Sequence, residues 1–375
     1  MDHRARLKEA HRIVVKVGTS TITYPGGKMN LGRMEKLVRE LADLRNQGRE
    51  IILVSSGAIA TGVNHLGLTE KPKGVPERQA LAAVGQGVLM HIYETLFSEY
   101  GQTVGQVLLT KENSVRHNQY TNSRNALLAL LAMGVVPVVN ENDAVSVDEL
   151  KIGDNDNLSA IVASLVDADL LVILSDVDGL YTANPQTDST ATRIPEVAEI
   201  TPDIERLAGG AGSALATGGM HTKIEAAKIA RSAGVTLVIA HGQQDGAVRA
   251  VVSGEDIGTL FPAKEAHLKA RKSWLAFGRH IEGDLIVDAG CERAMREKGS
   301  SLLAAGLVGV EGDFAARSTV RVLNGEGQEI ARGIVNYGAE DLRKIAGCRT
   351  AEIAAKLPDA AHDEVIHRDN MVLMA

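Results

Sequence analysis

Four polar side chains occupy consecutive positions in the segment KIGDNDNLSA, residues 151–160, just ahead of an apolar helical pattern. They are Asp154, Asn155, Asp156 and Asn157. Asp and Asn accept hydrogen bonds from the free N–H groups in the first turn of a helix, and one such residue is enough for a cap. The surplus predicts that some of these side chains face an ammonium group, a metal ion or a lysine that must be held in place. Helix capping is the alternative interpretation.

Glycine-rich loops and lysines recur in three other segments, KVGTS, SSGA and ATGGMHTK. Small residues let backbone N–H groups approach an anion, and Lys16 and Lys223 add positive charge. This combination is typical of a polyphosphate site. The chain has no GxxxxGK[ST] motif, and VGQGVLM is only a broken GxGxxG within a helical pattern. Neither a P-loop NTPase nor a Rossmann dehydrogenase is therefore indicated.

The elements that must position these residues alternate along the chain. RIVVKVG and EIILVSSG are typical of buried strands, and the segment between them has the apolar spacing of a helix. The alternation continues as far as VTLVIAHG, near residue 242. Strands that are apolar on both faces and separated by helices predict an α/β fold, with a mostly parallel open sheet between helix layers.

Ligands bind at the carboxyl ends of the strands in such a sheet. The polar and small residues that follow the predicted strands are therefore site candidates. They are Lys16, Gly18, Thr19, Ser20, Ser55, Ser56, Gly57, Ala58, Asn140, Glu141, Asn142, Asp143, Ser175, Asp176 and Asp178. The segment KIGDNDNLSA precedes a helix of the same sheet, so we expect its polar side chains at that edge as well.

The sequence pattern changes after GTLFPA. KEAHLKARKSW is polar and basic, as a linker would be, and short segments beyond it are spaced by glycines and charges. These segments predict a small β-rich barrel with one or two helices. We predict a first domain over residues 1–262, a linker over 263–275, a second domain over 276–357 and a C-terminal tail over 358–375.

Composition restricts the class of protein. The chain has 375 residues, of which 45% are hydrophobic and 23% charged, and a net charge of −7, which argues against a mainly nucleic-acid-binding protein. Its two cysteines have no ligand spacing, so no disulfide framework or zinc site is indicated. The N-terminal segment lacks the apolar core of a signal peptide, and no apolar run approaches transmembrane length. We expect a cytoplasmic protein that does not bind membranes.

Six motifs, in this order and spacing, resemble those of the amino acid kinase family. They are VVKVGTS, VSSGAIATG, VVNENDAV, KIGDNDNLSA, SDVDGLYTANP and ATGGMHTK. The resemblance is to the members that phosphorylate glutamate, and the segment after the linker resembles a PUA domain. It implies transfer of a phosphoryl group from ATP, with Mg²⁺, to the γ-carboxylate of L-glutamate, which is the first step of proline biosynthesis. It also implies feedback inhibition by proline, and we expect a homo-oligomer.

A carboxylate is already a nucleophile, so the expected work of the site is to align it with the γ-phosphate and to neutralise charge. We expect catalytic roles for Lys16 and Lys223, with Asp156 orienting both through charged hydrogen bonds. By similarity, the glutamate contacts are Ser56, Asp143, Asn155 and Asp154. The expected ATP contacts are Lys16, Gly18, Gly57, Ser175, Asp176, Thr217, Gly218, Gly219, Met220, His221, Thr222 and Lys223. We expect Mg²⁺ to be held by phosphates and waters, without protein ligands.

Two other functions stay open. Another kinase of the same fold would act on aspartate, N-acetylglutamate or UMP, although the carboxylates of Asp143 and Asp154 favour the free ammonium of glutamate. A minor RNA-binding role of the second domain is the other alternative, because basic residues recur there with acidic residues between them.

Overall fold

The computed structural model describes residues 2–70, 72–110, 117–145, 155–185, 187–209, 219–264, 281–316, 318–349, 352–353, 356–357 and 362–374. The chain divides into two compact units, Met1–His267 and Leu268–Ala375. Most of the predicted linker, from residue 265 onwards, lies outside the described residues. None of the helices in the described part of the chain is both long enough and apolar enough to span a membrane.

A seven-stranded sheet forms the centre of the first unit. Its strands are β1 Arg12–Val17, β2 Glu50–Ser55, β3 Val104–Leu109, β4 Val136–Glu141, β5 Leu170–Ser175, β6 Thr236–His241 and β7 Thr259–Phe261. Their order across the sheet is β3-β4-β2-β1-β5-β6-β7. Every neighbouring pair is parallel except β6 with β7. The predicted open, mostly parallel sheet is confirmed.

Helices connect these strands. Those described in the first unit are α1 Thr19–Ile22, α2 Leu31–Asn46, α3 Ala58–His65, α4 Val75–Ser98, α5 His117–Ala132, α6 Asn155–Leu165, α7 Pro202–Leu207, α8 Met220–Ser232 and α9 Ala247–Val252. In α2 the side chain of Asn30 caps the helix by accepting a hydrogen bond from the N–H of Arg33 at 3.1 Å. Its apolar residues at helical spacing are buried, as their spacing predicts.

Alternate residues of β1 face opposite layers of helices. Ile13, Val15 and Val17 belong to one continuous apolar core together with residues of α2, α4 and α9. Side chains alternate along a strand, so Lys16 points to the other face. That face is covered by α6, which packs on β1 and on α8. The alternation explains why a lysine at the end of a buried strand is only 3% exposed.

The second unit contains a separate five-stranded sheet with its own apolar core. Its elements are β8 Gly283–Val287, α10 Ala289–Lys298, β9 Leu307–Glu311, β10 Thr319–Leu323, β11 Glu329–Ile334, α11 Ala339–Ile345 and β12 Met371–Leu373. The strand order is β12-β11-β10-β8-β9, and only β8 and β10 are parallel. The predicted β-rich character is confirmed. Residues 358–375 were predicted to be a tail, but β12 lies within them and pairs with β11.

Candidate active site

The carboxyl ends of the central strands meet at one edge of the sheet. β1 lies between β2 and β5, and Val17 is in register with Ser55 on one side and Leu174 on the other. The residues that follow, Gly18 after β1 and Ser56 after β2, therefore leave the sheet side by side. From β1 the strand order continues to β2 on one side and to β5 on the other. Ligands of open α/β sheets bind at such a switch point in the strand order.

A buried carboxylate holds two lysines at this edge. Asp156 is fully buried; its Oδ1 lies 2.7 Å from Lys16 Nζ, and its Oδ2 lies 3.1 Å from Lys223 Nζ. The hydroxyl of Thr222 donates a hydrogen bond to Oδ2 at 2.9 Å. Two ammonium groups and one carboxylate leave a net charge of about +1, which suits the binding of an anion.

The charge state of Asp156 follows from these contacts. Burial raises the pKa of its carboxyl, but the charges and hydrogen bonds of Lys16 and Lys223 outweigh burial and bring the pKa below its ordinary value. The carboxylate therefore stays ionised at neutral pH. Asp156 is the second residue of α6, and in the described part of the chain its side-chain oxygens contact these two lysines and Thr222. The capping interpretation does not explain such contacts.

The start of α8 delivers Lys223. Gly219 precedes the helix with a φ of 95°, a left-handed conformation that favours glycine. Its carbonyl oxygen accepts a hydrogen bond from Lys223 Nζ at 3.2 Å. Thr222 Oγ1 lies 2.7 Å from the same oxygen and shares its single proton between this oxygen and Asp156 Oδ2. Met220 is partly buried and His221 is exposed. Thr217 and Gly218, two of the predicted ATP contacts, lie outside the described residues.

A second polar network ties the ends of β2, β4 and α6 together. Asn155 Nδ2 lies 2.8 Å from Ser56 Oγ, 2.9 Å from Asn140 Oδ1 and 3.2 Å from the carbonyl oxygen of Ser55. Asn140 Nδ2 in turn donates to Gln86 Oε1 at 2.8 Å. Gln86 was not among the predicted site residues. Its sequence signal is weak, since it is one polar residue on the otherwise mostly apolar buried face of α4.

Beside this network lies a cavity of about 460 Å³. Its lining residues come from the ends of β1, β2 and β4, from the loop after α1, from α3 and the residues after it, and from the start of α6. They are Thr19, Gly26, Gly27, Ser56, Gly57, Ala58, Ile59, Ala60, Val63, Asn64, Leu68, Thr69, Asn140, Glu141, Asp143 and Asn155. Three of the four predicted glutamate contacts, Ser56, Asp143 and Asn155, are brought together here. The fourth, Asp154, lies outside the described residues.

The remaining predicted ATP contacts lie at three places. Gly57, with a φ of 102°, precedes α3 and lines the cavity. A side chain at Gly18 would meet Lys16 Nζ, since a Cβ there would lie 3.7 Å from that atom. Ser175 ends β5, and its hydroxyl donates to Asp176 Oδ1 at 2.9 Å. Gly242, which follows β6, donates its N–H to the carbonyl oxygen of Ser175 at 2.6 Å. Ser175 and Asp176 therefore lie where β5 and β6 end.

Comparison with known proteins gives two family matches. Residues 11–241 match the amino acid kinase family, and residues 283–357 match the PUA domain. A glutamate 5-kinase of Moorella thermoacetica is 53% identical over 99% of this chain and 98% of that protein. Those of Carboxydothermus hydrogenoformans and Deinococcus radiodurans are 54% and 48% identical, over 99% and 97% of this chain and the full length of each relative. The chain therefore belongs to the amino acid kinase family.

Proposed function

We propose that this chain transfers the γ-phosphoryl group of ATP to the γ-carboxylate of L-glutamate, giving γ-glutamyl 5-phosphate in the first step of proline biosynthesis. The observation that carries the proposal is the buried trio of Lys16, Asp156 and Lys223, which places net positive charge at the sheet edge that holds the cavity. The glutamate 5-kinase relatives, which match almost the whole chain, support the choice of substrate.

The proposed mechanism needs no general base, because a carboxylate is already a nucleophile. Phosphoryl transfer then depends on alignment and on stabilising charge at the transferring group. Lys16 and Lys223 would supply that stabilisation, and Asp156 would fix the positions of both ammonium groups. Since Asp156 is ionised and both of its oxygens contact a lysine, it positions the lysines and does not take up a proton from substrate.

Glutamate would occupy the cavity. Ser56, Asp143 and Asn155 line it, and we assign them, together with Asp154, to the substrate. The α-ammonium of glutamate suits the carboxylate of Asp143, whereas an acetylated amine or a nucleotide base would not.

ATP would bind beside the trio. We assign to it Lys16, Gly18, Gly57, Ser175, Asp176, Thr217, Gly218, Gly219, Met220, His221, Thr222 and Lys223. The described residues contain no group of three or more His, Cys, Asp or Glu side chains suited to a metal. As is common in kinases, Mg²⁺ would be held mainly by the phosphate oxygens and water, and would add positive charge to the transferring group.

The test is a hydroxylamine trap for the acyl phosphate. The full chain is supplied with Mg²⁺-ATP and with glutamate, aspartate or N-acetylglutamate, and ADP release is measured in parallel with UMP as acceptor. We expect hydroxamate from glutamate and little product from the other three. Turnover of another acceptor in preference to glutamate would contradict the proposal.

Regulation and assembly extend the proposal. We propose that proline inhibits by competing at the glutamate cavity, and that the chain works in the cytoplasm as a homo-oligomer. Exposed apolar side chains at the end of α3 and on α4, namely Leu66 and Val84, would be available to such an interface. Light scattering and the dependence of the glutamate KM on proline test the two claims separately.

A role in RNA binding has less support. PUA domains are of an RNA-binding type. In the described part of the second unit, however, several basic side chains are paired with acidic ones. Arg321 pairs with Asp284 at 2.6 Å, and Lys344 pairs with Glu340 at 2.9 Å. Paired charges offer less attraction to phosphate, so we expect only weak retention on RNA, abolished by moderate salt.

A further inference from the structure

Gln86 lies behind the cavity without lining it. It is 8% exposed and sits on the buried face of α4, where its neighbours on that face include Leu89 and Tyr93. Its Oε1 accepts a hydrogen bond from Asn140 Nδ2 at 2.8 Å. Within the described residues, Gln86 Nε2 is buried and has no hydrogen-bond partner. A buried donor without a partner lowers stability.

One backbone group identifies which end of the Asn140 amide is the oxygen. The N–H of Glu141 donates to Asn140 Oδ1 at 2.9 Å. A backbone N–H can only donate, so the oxygen of the Asn140 amide must lie on that side and its nitrogen must face Gln86. The oxygen of Gln86 is then the only part of its amide that can satisfy Asn140.

The same reasoning fixes Asn155. Its Nδ2 lies 2.9 Å from Asn140 Oδ1 and 2.8 Å from Ser56 Oγ. Because Asn140 presents its oxygen, Asn155 has to present its nitrogen, and the oxygen of its amide is left over. No donor among the described residues contacts Asn155 Oδ1, and Asn155 lines the cavity. An amide oxygen in this position is an acceptor for a ligand cation.

We propose that Gln86 is a positioning residue that acts through Asn140 to hold the oxygen of Asn155 ready for the α-ammonium of the substrate. This inference rests on the proposed glutamate kinase activity and deepens it. Gln86 touches neither substrate nor nucleotide. Its effect is on recognition of the ammonium group, and it should be separable from the phosphoryl-transfer step that depends on the two lysines.

The chain offers a matched control in Gln102. It is also 8% exposed, and it too has one buried side-chain atom, Oε1, without a hydrogen-bond partner in the described structure. Its Nε2 donates to Asn46 Oδ1 at 2.9 Å. Gln102 precedes β3, at the amino end of the strand, and so lies at the opposite edge of the sheet from the cavity. Loss of a buried glutamine is thus comparable at the two positions.

The experiment compares Gln86→Met, Gln86→Asn, Gln86→Glu and Gln102→Met in the full chain. Kinetics give the KM for glutamate, the KM for ATP and kcat; competition gives the inhibition constant of glutarate, which lacks the ammonium group. Melting temperatures are recorded for each variant. Gln86→Asn keeps an amide but withdraws it by one methylene, so it serves if Gln86→Met does not fold.

We expect Gln86→Met and Gln86→Asn to raise the glutamate KM about 5- to 13-fold, the upper part of the range that one hydrogen bond covers. The ATP KM, kcat and glutarate inhibition should change by no more than about twofold, which is less than the loss of one hydrogen bond is expected to cause. Gln86→Glu keeps an acceptor for Asn140 in either protonation state and should stay close to the parent. Gln102→Met should lower the melting temperature about as much as Gln86→Met and leave the glutamate KM unchanged.

An unchanged glutamate KM in both Gln86→Met and Gln86→Asn would overturn this inference while leaving the proposed function intact. Equal weakening of glutamate and glutarate would also overturn it, because a distorted cavity would affect both ligands. If the parent chain itself does not turn over glutamate, the proposed function and this inference fall together.

Discussion

The carboxylate of Asp156 lies 2.7 Å from the ammonium of Lys16, and neither side chain is more than 4% exposed. The second oxygen of Asp156 holds Lys223 in the same way. One residue of α6 thereby fixes cations that come from a strand and from the start of another helix. Burial keeps water from screening these charges, so their positions are set by the fold.

Replacing Asp156 by Asn keeps the shape of the side chain and removes its charge. The two lysines would then repel one another without a counter-charge, so we expect kcat to fall about 10²–10³-fold, the loss typical of one misplaced electrostatic group. The glutamate KM should change much less, because Asp156 does not line the cavity. Steady-state kinetics decide the matter. If Asp156→Asn were as active and as stable as the parent, Asp156 would be only a helix cap, since Asn caps nearly as well as Asp.

Replacing Lys223 by Ala removes one cation from the transferring group. The expected loss is again about 10²–10³ in kcat. Lys228 on the same helix is the control, because it forms ion pairs with Glu205 and Glu225 at the surface of the unit. Surface ion pairs contribute little, so Lys228→Ala should keep kcat within about twofold. Similar losses in both variants would point to damage to α8.

The dependence of stability on pH distinguishes Asp156 from other acids. The pKa of its carboxyl in the folded chain lies below its ordinary value of 3.8. A lowered pKa contributes stability that is complete above the unfolded-state pKa and is lost as pH falls through the folded-state pKa. The gap in unfolding free energy between the parent and Asp156→Asn should therefore be constant from about pH 5 to 8 and shrink only below about pH 4.

Denaturant titrations at several pH values measure this gap. Breaking a buried ion pair typically costs about 3–5 kcal/mol, so a gap of that size is expected on the plateau. If the difference in unfolding free energy changed between about pH 7 and pH 5, the titration of a group other than Asp156 would be responsible for it.

Two glycines of α4 test the packing that supports the cavity. A Cβ at Gly85 would overlap the carbonyl oxygen of Ala58 at the start of α3, whereas a Cβ at Gly87 would meet nothing within 4 Å. Gly85→Ala should lower the unfolding free energy by about 1–3 kcal/mol through overpacking. Gly87→Ala should raise it by about 0.5–1 kcal/mol, because alanine is the better residue in a helix interior. Chemical denaturation measures the unfolding free energy of both variants. Equal effects of the two substitutions would contradict the close approach of α3 and α4.

The domain division can be tested by truncation. Residues 1–267 contain the whole seven-stranded sheet, both lysines, Asp156 and the cavity. We expect this fragment to fold cooperatively and to form the acyl phosphate from glutamate. Thermal unfolding and the hydroxylamine trap provide the measurements. An unfolded fragment would show that the first unit depends on the second.

Local periodicity predicted the alternating strands and helices of the first unit. Alternating buried strands and amphipathic helices predicted the parallel sheet. The rule that ligands bind at carboxyl strand ends predicted one sheet edge for Lys16, Ser56 and Asp143, and Ser56 and Asp143 line one cavity there. These features are readable because each depends on residues within a few positions of one another. The three-residue strand β12 was missed since so short a segment has almost no period to detect.

Tertiary structure decided which of the clustered polar residues act together. Asn155 and Asp156 are adjacent in sequence but have different partners. Asn155 forms hydrogen bonds with Ser56 and Asn140, whereas Asp156 contacts the lysines. Neighbouring residues on a helix point about 100° apart, so adjacent positions serve different sites. Lys223 and Asp156 are 67 residues apart, and Gln86 and Asn140 are 54 apart. Contacts at such separations depend on the order of strands across the sheet, which no local pattern encodes.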